Sequence, residues 1–131
     1  MELLFGLNQK DGVWIDGSHK AFDRTEYEGL KFKVKITSLT RSQIRTFSKA
    51  AEISQGKIDQ NIYMPKIFMA CCVDWELKDE TGAQIPFTEE NKRAMVERFP
   101  GFTNLVASAC LDVYIKTEAE SAERMEAEIK N

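Results

Sequence analysis

The sequence is poor in the residues and runs that indicate a disulfide scaffold, a fibrous protein or a membrane span. Of its 131 residues only 3 are cysteine, 3 are proline and 7 are glycine, which fits neither a disulfide framework nor a low-complexity chain. No apolar run approaches the roughly 18 residues of a membrane-spanning helix. The formal net charge of −3 gives the whole molecule no attraction to nucleic acid or to an anionic membrane. The start of the chain lacks a signal-peptide pattern, and a reduced cytoplasm fits best.

What is present is an ordinary globular mixture, with 43% hydrophobic and 30% charged residues. We predict one domain over 1–131 with an α+β fold, in which a small N-terminal antiparallel sheet packs against a bundle of about four helices. Residues 1–39 are β-rich, and 40–116 are mainly helical with a turn or hairpin at 74–87. Residues 117–131 are charged, and we expect them to form a C-terminal helix that frays.

Two strands are predicted in the first third of the chain. Residues 12–17 form a β-rich run bracketed by glycines, and residues 32–36 alternate apolar with basic side chains. The alternation predicts an antiparallel pair with one wet, lysine-bearing face. A nucleic-acid surface is the alternative reading of the basic residues in this region, but a solvated face is the more common one. This basic set consists of Lys31, Lys33, Lys35, Arg41, Arg45 and Lys49.

A first helix is predicted from about 41 to 54. Thr40 followed by Gln43 forms a capping box, in which each side chain satisfies a backbone N–H of the first turn. Gly56 is a natural stop. The apolar side of this helix would consist of Ile44, Phe47, Ala51 and Ala50.

Residues 62–73 are apolar almost throughout, so their periodicity cannot separate a buried strand from a buried helix. We favour a helix that begins near Pro65, because proline is tolerated in the first helical turn. The following acidic stretch contains a turn at Asp79–Gly82 between two short extended pieces, which predicts a hairpin.

Two helices are predicted in the second half of the chain. Thr88 caps the first, and Glu89 and Glu90 suit the positive end of its dipole. Pro100-Gly101 should end it, and the final helix should begin at about 103. The buried face of that helix would consist of Leu105, Val106, Ala109, Cys110, Val113 and Tyr114.

Candidate catalytic and metal-binding residues are few. His19 lies in a polar turn without a ligand or general-base pattern around it, so we interpret it as a surface turn residue. The three cysteines, Cys71, Cys72 and Cys110, lack metal-ligand spacing, and we interpret them as reduced packing residues. The acidic side chains near residue 76 lack the order of oxygen ligands found in an EF-hand. We therefore predict neither a catalytic site, nor a metal, nor a cofactor.

Four aromatic residues lie at turns and helix ends rather than inside long apolar elements. They are Trp75, Phe87, Phe99 and Phe102. Such residues are core residues more often than binding residues, but they are the candidates for partner binding. We expect Trp75 and Phe87 to pack across the Asp79–Gly82 turn.

Between about residues 12 and 115 the sequence resembles the tail assembly chaperones of long-tailed bacteriophages and prophages. The more specific part combines a tryptophan, an acidic turn ending in glycine, a Pro-Phe pair and a capped helix. The similar stretches are Gly12-Val13-Trp14-Ile15, Phe32-Lys33-Val34, Val73-Asp74-Trp75-Glu76, Asp79-Glu80-Thr81-Gly82 and Ile85-Pro86-Phe87-Thr88-Glu89-Glu90-Asn91.

The resemblance implies a non-catalytic protein of the host bacterial cytoplasm that binds the tape measure protein during tail assembly. It also implies absence from the mature virion, a minor longer product made by ribosomal frameshifting, and contact with the tail tube protein. It supplies no catalytic or binding residues, and it leaves a homo-oligomer open. The competing hypothesis is a small structural virion protein, such as a tail-completion or head–tail connector component.

Overall fold

The computed structural model describes residues 12–112, and they form the α+β fold that the sequence predicts. Within this range a three-stranded antiparallel sheet has the order β1-β2-β5, and β3 and β4 form a separate hairpin. The strands are β1 (Val13–Asp16), β2 (Lys33–Ile36), β3 (Glu52–Ser54), β4 (Lys57–Ile58) and β5 (Cys72–Glu76). The α-helices are α1 (Arg41–Ala50), α2 (Gln60–Cys71), α3 (Glu89–Arg98) and α4 (100–112).

The sheet has one wet face and one buried face, as the alternation in β2 predicts. On the wet face Lys33 lies opposite Asp16 on one side and Glu76 on the other, and Lys35 lies opposite Asp74. Each lysine therefore has a carboxylate beside it, an arrangement that stabilises neighbouring strands. The buried face consists of Ile15, Val34, Ile36 and Trp75 together with Cys72.

The third strand, β5, contains one residue more than its partner needs. Ile36 lies opposite Cys72 and Val34 lies opposite Trp75, so two positions on β2 correspond to three on β5. The extra residue is Val73, and it is exposed. A bulge of this kind lets residues at an odd spacing reach the same face of the sheet. It thereby directs both Cys72 and Trp75 into the core.

Helix α2 differs from its prediction at both ends. It begins at Gln60 rather than near Pro65, because the Asp59 side chain caps it by accepting a hydrogen bond from the backbone N–H of Asn61 at 2.9 Å. Pro65 lies inside the helix. The helix ends at Cys71, and the chain enters β5 without a loop, so the last two residues of the predicted helix are strand.

Helix α1 has the predicted capping box but is shorter than predicted. Gln43 N–H donates to the Thr40 hydroxyl at 3.1 Å, and Thr40 N–H donates to the Gln43 side chain at 2.9 Å. The helix ends at Ala50, the next residue Ala51 is buried in the core, and residues 52–58 form the β3–β4 hairpin. Gly56, at φ +79°, supplies the left-handed residue of that turn.

Helices α3 and α4 follow each other almost directly. Thr88 caps α3 as predicted, by accepting from the N–H of Asn91 at 3.0 Å. Helix α3 ends at Arg98, just before the predicted Pro100-Gly101 stop. Pro100 is itself the first residue of α4, a position where its missing N–H has no effect on the helix. The helix therefore begins three residues before the predicted 103. The predictions for Val113, Tyr114 and 117–131 concern residues outside the described range.

The core lies between the buried face of the sheet and the helices. Phe22, at the end of a short 3-10 helix (Lys20–Phe22), is fully buried and occupies its aromatic centre. His19 accepts a hydrogen bond from Ala21 N–H through Nδ1 at 3.0 Å and so caps that short helix, which agrees with its interpretation as a turn residue. The other fully buried large side chains include Phe68, Ile67, Val34 and Val106.

A candidate docking groove

One groove combines an apolar lining with exposed aromatic and aliphatic side chains, and we call it the docking groove. Four parts of the chain meet there: the loop before β2, the loop after β5, the end of α3 and the start of α4. Its volume is about 810 Å³. Its apolar lining consists of Tyr27, Leu30, Phe32, Leu77, Ile85, Met95, Phe99 and Phe102.

The floor of the groove is a packed set of aromatic rings. Phe102 is only 5% exposed. Its ring lies 5.2 Å from that of Tyr27, 5.3 Å from that of Phe32 and 6.0 Å from that of Phe22. The contacts with Tyr27 and Phe32 are edge-to-face and the contact with Phe22 is stacked, and together they fix the orientation of the rings. The floor is therefore formed before any partner arrives.

The rim of the groove exposes large apolar side chains to water. Leu30 is 52% exposed and Phe99 is 51% exposed. Phe99 is the residue between α3 and α4, and its non-helical backbone, with φ −131° and ψ 57°, ends α3. No described element covers it. Adjoining apolar surface of this kind is typical of binding sites.

Charged side chains stand beside the apolar rim. Lys31, Lys78 and Arg98 are exposed, and none of the three has an ion-pair partner among residues 12–112. Two carboxylates, Asp79 and Glu80, also border the groove. Together with these two carboxylates, the three cations give the border of the groove a net charge of +1.

One wall of the groove is the narrow hairpin that the sequence predicts after β5. Ile85 N–H donates to Leu77 C=O at 2.8 Å, and Lys78 and Gln84 form a bridge. At the tip, the Asp79 carboxylate accepts from Thr81 and from the N–H of Ala83. These hydrogen bonds, that from the Thr81 hydroxyl above all, lower the pKa of Asp79.

Trp75 supports this wall from inside the molecule. It is 3% exposed, and its indole N–H donates to the Ile85 carbonyl at 2.7 Å. Its ring lies 4.9 Å from that of Phe87 at an interplanar angle of 86°. The predicted packing of Trp75 against Phe87 is therefore confirmed. Both residues hold the hairpin in place from behind the groove.

Lys92 fixes α3, which carries part of the rim, to α2. Its ammonium group is buried and donates to the Met69 carbonyl, in the last turn of α2, at 2.7 Å. It also lies 3.7 Å from Glu89 and 5.3 Å from the centre of the Phe87 ring. Our sequence reasoning missed this residue. The available signal was its position on the same helical face as Met95, three residues later.

The four aromatic candidates divide into two pairs. Phe99 and Phe102 line the docking groove, the first on its rim and the second in its floor, whereas Trp75 and Phe87 lie behind its wall. Partner binding by any of them stays a prediction, and within the folded molecule Phe99 is the one with a largely exposed side chain. The sequence did not single out Leu30, although an apolar residue between glycine and lysine in a loop is a signal of exposure.

The three cysteines are free and buried, as expected of packing residues. Burial raises the pKa of the Cys72 thiol to about 12, a rise that nearby Lys92 limits. The pKa of Cys71 is also raised well above its usual value, by its hydrogen bond with Cys110 and by burial. Among residues 12–112 no group of three or more metal-ligating side chains lies close enough to hold a metal ion. Within the same range, no helix combines the length and the apolar composition needed to cross a bilayer.

No family model, curated protein or solved structure matches the chain. The likeness to phage tail assembly chaperones therefore stays a prediction from sequence motifs.

Proposed function

We propose that the protein is a non-catalytic phage tail assembly chaperone that holds an apolar segment of the tape measure protein in the docking groove. The proposal joins the sequence resemblance to one structural observation: an apolar groove with a preformed aromatic floor and two half-exposed large side chains on its rim. The protein would act in the host bacterial cytoplasm and leave before the virion is complete.

The groove has the chemistry that an amphipathic client helix requires. Such a helix presents apolar side chains at intervals of three and four residues, which fit an apolar groove. Complete burial of a phenylalanine or leucine contributes about 1.5–3 kcal/mol. Phe99 and Leu30 are half exposed, so burying the rest of either side chain on binding would contribute about half of that free energy. The floor needs no rearrangement, which lowers the entropic cost of association.

Phe99→Ala is the variant that tests this proposal. Overlapping peptides that cover the tape measure protein encoded in the same genome should include at least one that binds the wild-type chain. We expect Phe99→Ala to weaken that binding by about tenfold, equivalent to ~1.4 kcal/mol. Val13→Ala is the matched control, because Val13 is also an exposed apolar residue (56%) but lies in β1, outside the groove lining.

Titration calorimetry measures both affinities, and thermal melting shows whether each variant stays folded. Equal binding by wild type and Phe99→Ala, or binding by no peptide, would remove the groove from the proposal. Detection of the chain in purified, infectious particles would instead favour the structural virion protein. Recovery of the chain with the tail tube protein would extend the chaperone role to that second partner.

A further inference from the structure

We infer that the docking groove also binds residues 117–131 of the same chain, which we call the acidic segment. It contains five glutamates against Arg124 and Lys130, a local net charge of −3. Its large apolar residues are Met125 and Ile129, and these follow Ala122 at spacings of three and four. This spacing places side chains on one face of a helix. The segment thus has the chemistry of a ligand for an apolar groove with a basic rim.

Charge complementarity is the first argument for this occupant. The exposed cations Lys31, Lys78 and Arg98 on the rim are without ion-pair partners among the described residues. Two carboxylates, Asp79 and Glu80, lie beside these cations, and Asp79 also accepts hydrogen bonds within its own turn. Three cations against two carboxylates leave the rim with a net charge of +1, which favours an acidic ligand.

The length and direction of the chain are the second argument. Phe102, in the first turn of α4, lies in the groove, and Asp112 lies ten residues further on, about 15 Å along the helix axis. Residues 113–116 can span up to about 14 Å, and a helix of fifteen residues measures about 22 Å. A return path along α4 would therefore bring Met125 and Ile129 to the level of the groove.

The surface of α4 leaves room for that path. Gly101 and Ser108 are exposed, and no atom lies within 4 Å of where a side chain at Gly101 would begin. Because the segment is attached to the chain, its effective concentration at the groove is of the order of millimolar. Even a weak contact would then be populated.

With the acidic segment bound, the apolar side chains of the groove are shielded from water by the protein's own chain. Met125 and Ile129 would cover Leu30 and Phe99 until a client with higher affinity displaces them. The competition with a client rests on the proposed function, but the docking of the acidic segment does not. The experiment therefore uses the full chain without any client.

A spin label at residue 127 tests the docking. Ala127→Cys places the label on the side of the helix opposite Met125 and Ile129, so that it neither removes these residues nor blocks their contact with the groove, and the native cysteines are buried. In the labelled, isotope-enriched full chain, the amide signals of Leu30 and Phe99 should lose most of their intensity. They should recover in a second protein that also carries Met125→Ser and Ile129→Ser. Reversal of the rim charge by Lys78→Glu and Arg98→Glu should restore them as well.

A mixed sample distinguishes docking of the acidic segment within one chain from docking onto a second copy. It contains enriched chains without the label and labelled chains without enrichment, so that only contacts between copies broaden the signals. We expect no loss at Leu30 or Phe99 in this sample. Loss in the mixed sample as well as in the first sample would assign the groove to the segment of another copy and overturn the inference. Full intensity in both samples would show that the acidic segment does not bind the groove.

Discussion

Trp75 is the residue whose loss should damage the fold most. Trp75→Ala removes a buried ring, its contact with Phe87 and the donor to the Ile85 carbonyl. We expect a loss of about 3–5 kcal/mol in the free energy of unfolding. Urea denaturation followed by circular dichroism measures it. Trp14→Ala is the control, since Trp14 is exposed on β1 and should lose less than about 1 kcal/mol. Similar values for the two variants would contradict the core role of Trp75.

The thiols should be inert in the native protein. At pH 8 a thiol with a pKa of about 12, such as Cys72, is ionised in only about one molecule in ten thousand, and its burial also excludes the reagent. A disulfide reagent should therefore label none of the three cysteines within minutes in native buffer and all three in denaturant. Rapid native labelling of Cys71 or Cys72 would show that α2 opens at its C-terminal end.

The Asp79 carboxylate should become protonated at a lower pH than that of an ordinary aspartate. Hydrogen bonds from Thr81 and Ala83 stabilise the carboxylate, so the folded-state pKa lies below the unfolded value of about 3.9. The resulting stability is fully present above the unfolded pKa and is lost as pH falls through the folded pKa. In a pH titration, the amide proton shifts of Thr81 and Ala83 should have midpoints below 3.9. In Asp79→Asn they should not titrate in that range.

At the scale of elements, Lys92 is what joins α3 to α2. Lys92→Met keeps the aliphatic stem but leaves the Met69 carbonyl without its donor, which should reduce the free energy of unfolding by about 1–3 kcal/mol. The ion pair with Glu89 contributes little because Glu89 is largely exposed. Lys66→Met, at an exposed position of α2, is the control and should change little. Urea unfolding measures the free energy of unfolding of both variants. An unchanged value for Lys92→Met would mean that packing alone joins the helices.

The elements that could be predicted from the sequence are those with a local signal. Thr40 and Thr88 start α1 and α3 because each cap depends on side chains within three residues. The strand at Cys72–Glu76 was predicted only in part: an extended piece was expected from residue 74, but the extra residue Val73 destroys the period of two that identifies strands, so Cys72 and Val73 were assigned to the helix. Pro65 was misleading for a related reason: tertiary packing tolerates it inside α2, and the actual cap, Asp59, lies six residues earlier.

At the scale of the whole molecule, the groove was the part that could not be predicted. Its lining comes from residues 27–32, 77–85 and 95–102, and no periodic pattern connects segments so distant in the chain. Phe99 and Phe102 were candidates because they lie at a helix end, which is a local property. Leu30 becomes important only when the fold places it opposite Phe99.

The pairing of β2 with β5 also determines at which stage of folding the groove can form. Ile36 and Cys72 are 36 positions apart, and α1, the β3–β4 hairpin and α2 all lie between them. Helices and hairpins need only local contacts, whereas pairing residues so distant in the chain first costs loop-closure entropy, so this pairing should come late in folding. Until then the two walls of the groove are not neighbours. A client that binds there therefore binds only finished molecules and, by mass action, makes them harder to unfold.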